Sequence, residues 1–231
     1  MNAHPDTCLS QKGNAFLYIL IAVVLLAGLT FTLSRIESQD GDGQSKVDKA
    51  QVALDANAIL SYAASVQNAI IRLDQVGVSS DQIDFMQPWE TTFNDPPTTE
   101  KLFHPDGGGL NYKPLPPDAT GASVADPKPR FYVGRFNNVE WSPTAAMDVI
   151  FTAYKITRPV CEEINRRVIG DPTIGTYSST MARVLVEGAG KYHSGGFRDL
   201  AVAQCTACED KNAFCITDGT SYAFYSIMDA K

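Results

Sequence analysis

Nineteen consecutive uncharged, mostly apolar residues, Ala15 to Leu33, precede a chain that is otherwise patterned like a globular protein. A helix of that length spans roughly 28 Å, close to the ~30 Å hydrocarbon core of a bilayer. The run predicts a transmembrane helix over residues 14–34, behind a leader at 1–13. Asp40-Gly41-Asp42-Gly43 then interrupts the pattern, and two glycines in four residues predict a hinge over 35–44. Ser45 can cap a second helix, with Asp48 in its first turn. Along it Val47, Leu54, Ile59, Tyr62, Val66, Ile70 and Leu73 recur at spacings of mostly three to five. That is the apolar stripe of an amphipathic helix running to about Val76.

Residues 86–130 are rich in Pro, Gly, Asp and Thr, and include His104-Pro105-Asp106-Gly107-Gly108-Gly109. They read as a long surface loop of the kind that carries contacts. Strand patterns follow at Arg130 to Phe136 and at Met147 to Ile156. Pro159 can open a short helix through Cys161, Ile164 and Val168, ended by Gly170. Met181 to Val186 predicts a third strand. Ala213 to Thr217, the pair Asp218-Gly219, and Thr220 to Met228 predict a closing hairpin. Helices first and strands mostly later give an α+β class: an N-terminal transmembrane helix and an amphipathic helix packed on an antiparallel β-sheet domain, with residues 45–231 as the folded body.

Composition narrows what such a body can do. Apolar residues at 44% and aromatics at 10% argue against disorder. A net charge of −7 with no run of basic residues gives no footprint for nucleic acid. Five cysteines divide by position: Cys8 lies before the apolar run, and Cys161, Cys205, Cys208 and Cys215 lie after it. An even set, three of them within eleven residues, suits two disulfides in an oxidising compartment, with three connectivities possible. The cysteines therefore place the body outside the cytosol and the leader inside. Lys12 before the run, against Arg35, Lys46 and Lys49 after it, does not favour that orientation by charge. The charge rule is weak for long exported domains.

Lys12-Gly13 directly ahead of the apolar run resembles the leader of type IV pilins and pseudopilins. In that family a membrane peptidase cuts after the glycine, on the cytoplasmic side, and leaves the apolar segment on the mature chain. The resemblance implies processing at Lys12, Gly13 and Asn14, with Asn14 standing where the family usually has Phe. Tyr18 stands where the family usually has a Glu five residues into the mature chain. Residues 12–75 carry the likeness. It implies a single-pass protein of the bacterial inner membrane with a periplasmic or extracellular domain. Its partners would be a prepilin peptidase and other pilin-like subunits or assembly proteins.

Other chemistry is weaker. Asp40-Gly41-Asp42-Gly43 starts like a calcium loop, but Gln51 stands where the closing Glu is needed. His104 and Asp106 give two ligands on a loop, and the triple glycine has no following Gly-Lys-Ser/Thr to make a phosphate cradle. Cys205-Thr206-Ala207-Cys208 matches a redox spacing, yet it precedes a hairpin and reads as a structural cluster. Zinc would need those cysteines with His193, and a hydrolase would need more than the adjacent His193 and Ser194. The expectation is an assembly or contact protein with no cofactor and no catalysis. The alternative is an unprocessed, signal-anchored periplasmic domain that binds a ligand or an envelope partner.

Overall fold

The computed structural model describes residues 43–121, 125, 127–186 and 199–230. The chain divides into two units, Met1–Asp48 and Lys49–Lys231. The leader, the expected span at 14–34 and most of the expected hinge lie outside the described residues.

Helix α1, Gly43–Gln75, has 33 residues and is about 50 Å long at 1.5 Å per residue. Alanines recur along it and no proline interrupts it, so propensity and pattern agree. Ala56, Ile59, Tyr62, Ala63, Val66, Ala69, Ile70 and Leu73 are buried at spacings of one and three, one face of the helix. Val47 and Leu54, read from sequence as part of that stripe, are instead 67% and 62% exposed. The helix closes where the Val78 N–H donates to the Leu73 carbonyl at 3.0 Å.

Five strands form one sheet in the order β1-β2-β5-β4-β3: β1 Arg130–Asn137, β2 Asp148–Ile156, β3 Gly175–Thr176, β4 Ala213–Thr217 and β5 Tyr222–Asp229. The pairs β1–β2, β2–β5 and β5–β4 are antiparallel, with Val133 opposite Phe151 and Ala153 opposite Phe224. The pair β3–β4 is parallel. Helix α2, Arg158–Ile169, starts with Pro159 in its first turn and ends at Gly170, whose φ of 77° takes the left-handed turn that favours glycine.

Side chains alternate across the sheet, and both faces are covered. Phe131, Val133, Phe151, Ala153, Cys215 and Phe224 share one cluster with α1 and α2. Tyr132, Ile150, Tyr154, Phe214, Ile216 and Tyr225 share the other with Leu200, the 205–208 turn and a short helix α3, Met181–Leu185. Double coverage explains why β2 is buried at nearly every position.

The expected fold class needs correction. The α+β class stands, but among the described residues no helix is long and apolar enough to cross a membrane. Helix α1 carries Lys46, Asp48, Lys49, Asp55, Arg72 and Asp74, which no bilayer core would accept cheaply. The sheet is mixed, not purely antiparallel, because β3 runs along β4. The expected strand at 181–186 is instead a helix, Met181–Leu185, capped by Val186; the Met181 N–H meets Asp218 Oδ2 at 3.4 Å, anchoring the helix start to the hairpin turn. Local β-propensity there yields to tertiary packing.

Candidate functional site

Four of the residues singled out by sequence stand as two disulfides. Cys161 on α2 bonds Cys215 on β4 with Cα atoms 5.6 Å apart. Cys205 bonds Cys208 across the turn Thr206–Cys208, with Cα atoms 5.3 Å apart. All four are buried, so neither pair presents sulfur to a partner. Asn165, one turn beyond Cys161 and fully buried, reinforces the first bridge. Its amide donates to the Thr173 carbonyl at 2.8 Å and the Cys215 carbonyl at 3.1 Å, and its oxygen accepts from the Cys215 N–H at 2.8 Å. Helix α2 is thus fixed to β4 by one covalent and two hydrogen bonds, and to the loop before β3 by a third hydrogen bond.

The segment after α1, read from residue 86 onward as a surface loop, supplies core. Ile83, Phe85, Phe93, Leu102, Phe103, Leu110 and Leu115 are all buried against α1 and the sheet. One buried lysine organises it. Lys101 Nζ donates to the carbonyls of Thr92 at 2.9 Å, Phe93 at 2.8 Å and Asp95 at 2.5 Å. Gly107 and Gly108 lie so close to this turn that a Cβ would sit 2.3 Å from the Lys101 carbonyl oxygen and 2.4 Å from that of Leu102. Gly107 and Gly108 are therefore a packing requirement of the fold.

Between this segment and β1 lies a cleft of about 470 Å³. Ile83, Phe85 and Met86 contribute its apolar lining, and Asp81, Asp84, Glu90 and Arg135 its charge. Arg135 Nη1 stands 2.8 Å from Asp81 Oδ1, and its Nε donates to the Met147 carbonyl at 3.1 Å. Asp84 and Glu90 each accept a nearby backbone N–H, from Met86 at 2.8 Å and Gln87 at 3.1 Å.

His104 Nδ1 accepts from the Asp106 N–H at 3.2 Å, and the ring packs 5.2 Å from Phe93, a local turn arrangement. Among the described residues no group of three or more His, Cys, Asp or Glu side chains could hold a metal ion. In the hairpin turn, Asp218 Oδ1 accepts from the N–H groups of Thr220 and Ser221 and from the Thr220 hydroxyl. Burial pushes its carboxyl pKa up, but these bonds outweigh burial and hold it below the ordinary value.

No family model, curated protein or solved structure matches this chain. The site must therefore be judged by what the residues can do. Lys12, Gly13 and Asn14, the expected processing residues, lie outside the described residues, as do His193, Ser194 and the first three residues of the Asp40–Gly43 motif.

The outward face of α1 is a feature the apolar stripe did not reveal. Leu54, Ala58, Ser61, Ala64, Asn68 and Ile71 are exposed, and no residue from 56 to 71 carries a charge. A solvated helix face ordinarily carries Lys and Glu, so a long uncharged one suits contact with another surface. A second feature missed by sequence is Trp89, 54% exposed. Tyr112 stands edge-on to it, 4.7 Å between ring centres, and the Arg130 guanidinium lies 5.5 Å over the indole and 4.6 Å over Tyr132. These residues come from three separate segments, and no spacing in the sequence announces them.

Proposed function

We propose that this chain is a pilin-like or pseudopilin-like assembly protein of a bacterial envelope, contributing to a filament or secretion system and carrying out no reaction of its own. The domain works outside the reducing cytosol, and the N-terminal apolar run keeps the protein at the inner membrane until it is recruited. A prepilin peptidase and other pilin-like subunits or assembly proteins are its partners.

The observation that carries the reading is helix α1. One face is the core of the domain, while the opposite face stays uncharged from Ala56 to Ile71 and exposes Leu54, Ala58 and Ile71. Buried disulfides support an oxidising location, and Lys12-Gly13-Asn14 before the apolar run supports processing. The test is intact-mass measurement of the protein recovered from membranes of cells with and without the peptidase. A chain beginning at Asn14 in the first and at Met1 in the second is expected. A chain that keeps Met1 in peptidase-positive cells overturns the reading.

The cleft of about 470 Å³ beside Arg135 favours a second reading, an unprocessed anchored domain that binds a small ligand. Retention of Met1 in both strains belongs to that reading.

A further inference from the structure

Helix α1 carries no charge from Ala56 to Ile71, and the first two charges after that stretch fall on opposite sides of it. Arg72 and Asp74 are two residues apart, which is about 200° around a helix of 3.6 residues per turn. Arg72 lines a groove of about 280 Å³ between α1 and residues 108–113, together with Lys113 and with no carboxylate. Asp74 lines a pocket of about 200 Å³ between the end of α1, residues 78–80 and the end of β5, together with Asp229 and with no Lys or Arg. No residue of α1 lines both. Between them runs the exposed strip of Ser61, Ala64, Asn68 and Ile71, with Asn68 bordering the first hollow and Ile71 the second.

These charges are positioned but not neutralised. Arg72 Nη1 donates to the Gly108 carbonyl at 3.0 Å, which sets the guanidinium on the groove wall. The Tyr62 hydroxyl donates to the Asn111 carbonyl at 3.2 Å and accepts from the Lys113 N–H at 3.3 Å, which fixes the backbone that carries Lys113. Asp74 stands in the last turn of α1, and Asp229 ends β5. Among the described residues none of Arg72, Lys113, Asp74 and Asp229 forms an ion pair. The strip is therefore framed by a cationic flank and an acidic flank, both unpaired within the chain.

We propose that the exposed face of α1 pairs with the same face of a second copy of this chain, with the two helices parallel about a two-fold axis along the strip. The uncharged strips meet at the centre, where Ser61 and Ala64 are small enough for close approach. A two-fold axis parallel to the helix sets the Arg72–Lys113 flank of each copy against the Asp74–Asp229 flank of the other, so both rims join opposite charges. An antiparallel pair would set cation against cation and acid against acid. Charge therefore selects the parallel arrangement. Arg72 and Asp74 differ by only about 3 Å along the axis, so the parallel pair also keeps them level. For its use the contact rests on the assembly reading above, because parallel helices start from the same end, as two chains held in one bilayer require. For its geometry it rests on the two linings alone.

Cysteine cross-linking of the full chain in detergent micelles tests it, in a Cys8→Ser background so that the introduced thiol is the free one. Ser61→Cys and Asn68→Cys are each expected to cross-link to their own kind, because residues at one height meet across a parallel two-fold axis. Mixing the two variants is expected to give little mixed product. Sedimentation equilibrium in the same micelles is expected to show a dimer that weakens as salt rises. Lys113→Glu or Asp74→Lys alone is expected to weaken it roughly fivefold or more, since each change acts at both rims. The two reversals in one chain are expected to restore it. All four sites are exposed, so unchanged melting temperatures separate lost contact from lost fold. A monomer at every concentration, cross-linking of Ser61→Cys mainly to Asn68→Cys, or no loss from either charge reversal each overturns the proposal. A chain that begins at Asn14 and stays monomeric overturns this contact while the assembly reading stands.

Discussion

The two disulfides close loops of very different length, and their contributions to stability should differ accordingly. Cys161 and Cys215 are separated by 54 positions, Cys205 and Cys208 by 3. In the chain-entropy account a cross-link lowers the entropy of the unfolded state by a constant plus a term in the logarithm of loop length. This gives about 4 kcal/mol for the long loop and about 2 kcal/mol for the short one. Replacing each pair by alanine, Cys161→Ala/Cys215→Ala and Cys205→Ala/Cys208→Ala, should show that gap in urea unfolding followed by circular dichroism. With an m-value of about 2 kcal/mol/M, the midpoints should differ by roughly 1 M, the long-loop variant lying lower. Non-reducing peptide mapping of the parent chain should recover Cys161 joined to Cys215 and Cys205 joined to Cys208. Any other pairing, or a short-loop variant as damaged as the long-loop one, refutes the reasoning.

Other perturbations follow from single contacts. Lys101→Met removes the donor for three carbonyls in a buried turn and should cost about 3–5 kcal/mol, read as a fall in urea midpoint. Gly108→Ala forces a Cβ against the Leu102 carbonyl and should cost about 1–3 kcal/mol in the same assay, whereas Gly170→Ala meets no atom and is strained only by its φ of 77°. Asp218 is held below its ordinary pKa in the folded state, so its contribution is present above the unfolded value and lost as pH falls through the folded one. Melting temperatures across acidic pH should therefore fall more steeply for the parent than for Asp218→Asn, with the parent the more stable near neutrality. Asp55 behaves oppositely: burial raises its carboxyl pKa, the Gln51 side chain opposes that, and the Asp118 charge adds to it. Its contribution is full below the unfolded value and is lost as pH rises through the folded one. Asp55→Asn should then gain stability relative to the parent near neutral pH and lose that advantage in acid.

Much of the sheet was legible because local and global preferences agree there. Arg130–Asn137, Asp148–Ile156 and the hairpin around Asp218-Gly219 stand within a residue or two of where alternation and turn residues predict them. Helix α2 was legible from Pro159 at its start and Gly170 past its end. The pattern failed where one residue's role depends on a distant partner. Val184 and Val186 have strand-like side chains, but Met181, Ala182, Val184 and Leu185 fill the second core cluster from a helix that Asp218, 37 positions away, helps to start. Val47 and Leu54 fit the helical stripe by spacing, yet among the described residues of α1 full burial begins only at Asp55 and Ala56, a limit the helix alone does not reveal.

The loop at 86–130 misled for a deeper reason. Proline and glycine describe the backbone's turns and say nothing about which side of each turn faces the core. Phe93, Leu102 and Phe103 are scattered among them without a period, so no template registers that they bury together. A lone Lys101 gives no sign that three carbonyls will converge on it, because those carbonyls belong to backbone whose path the lysine itself helps to fix. The same segment carries Trp89 and Tyr112, and β1 brings Arg130 up to them. A surface assembled from two turns of irregular chain and the start of a strand has no single periodicity to read. The cluster becomes visible only when the fold has laid the Arg130 guanidinium over the indole.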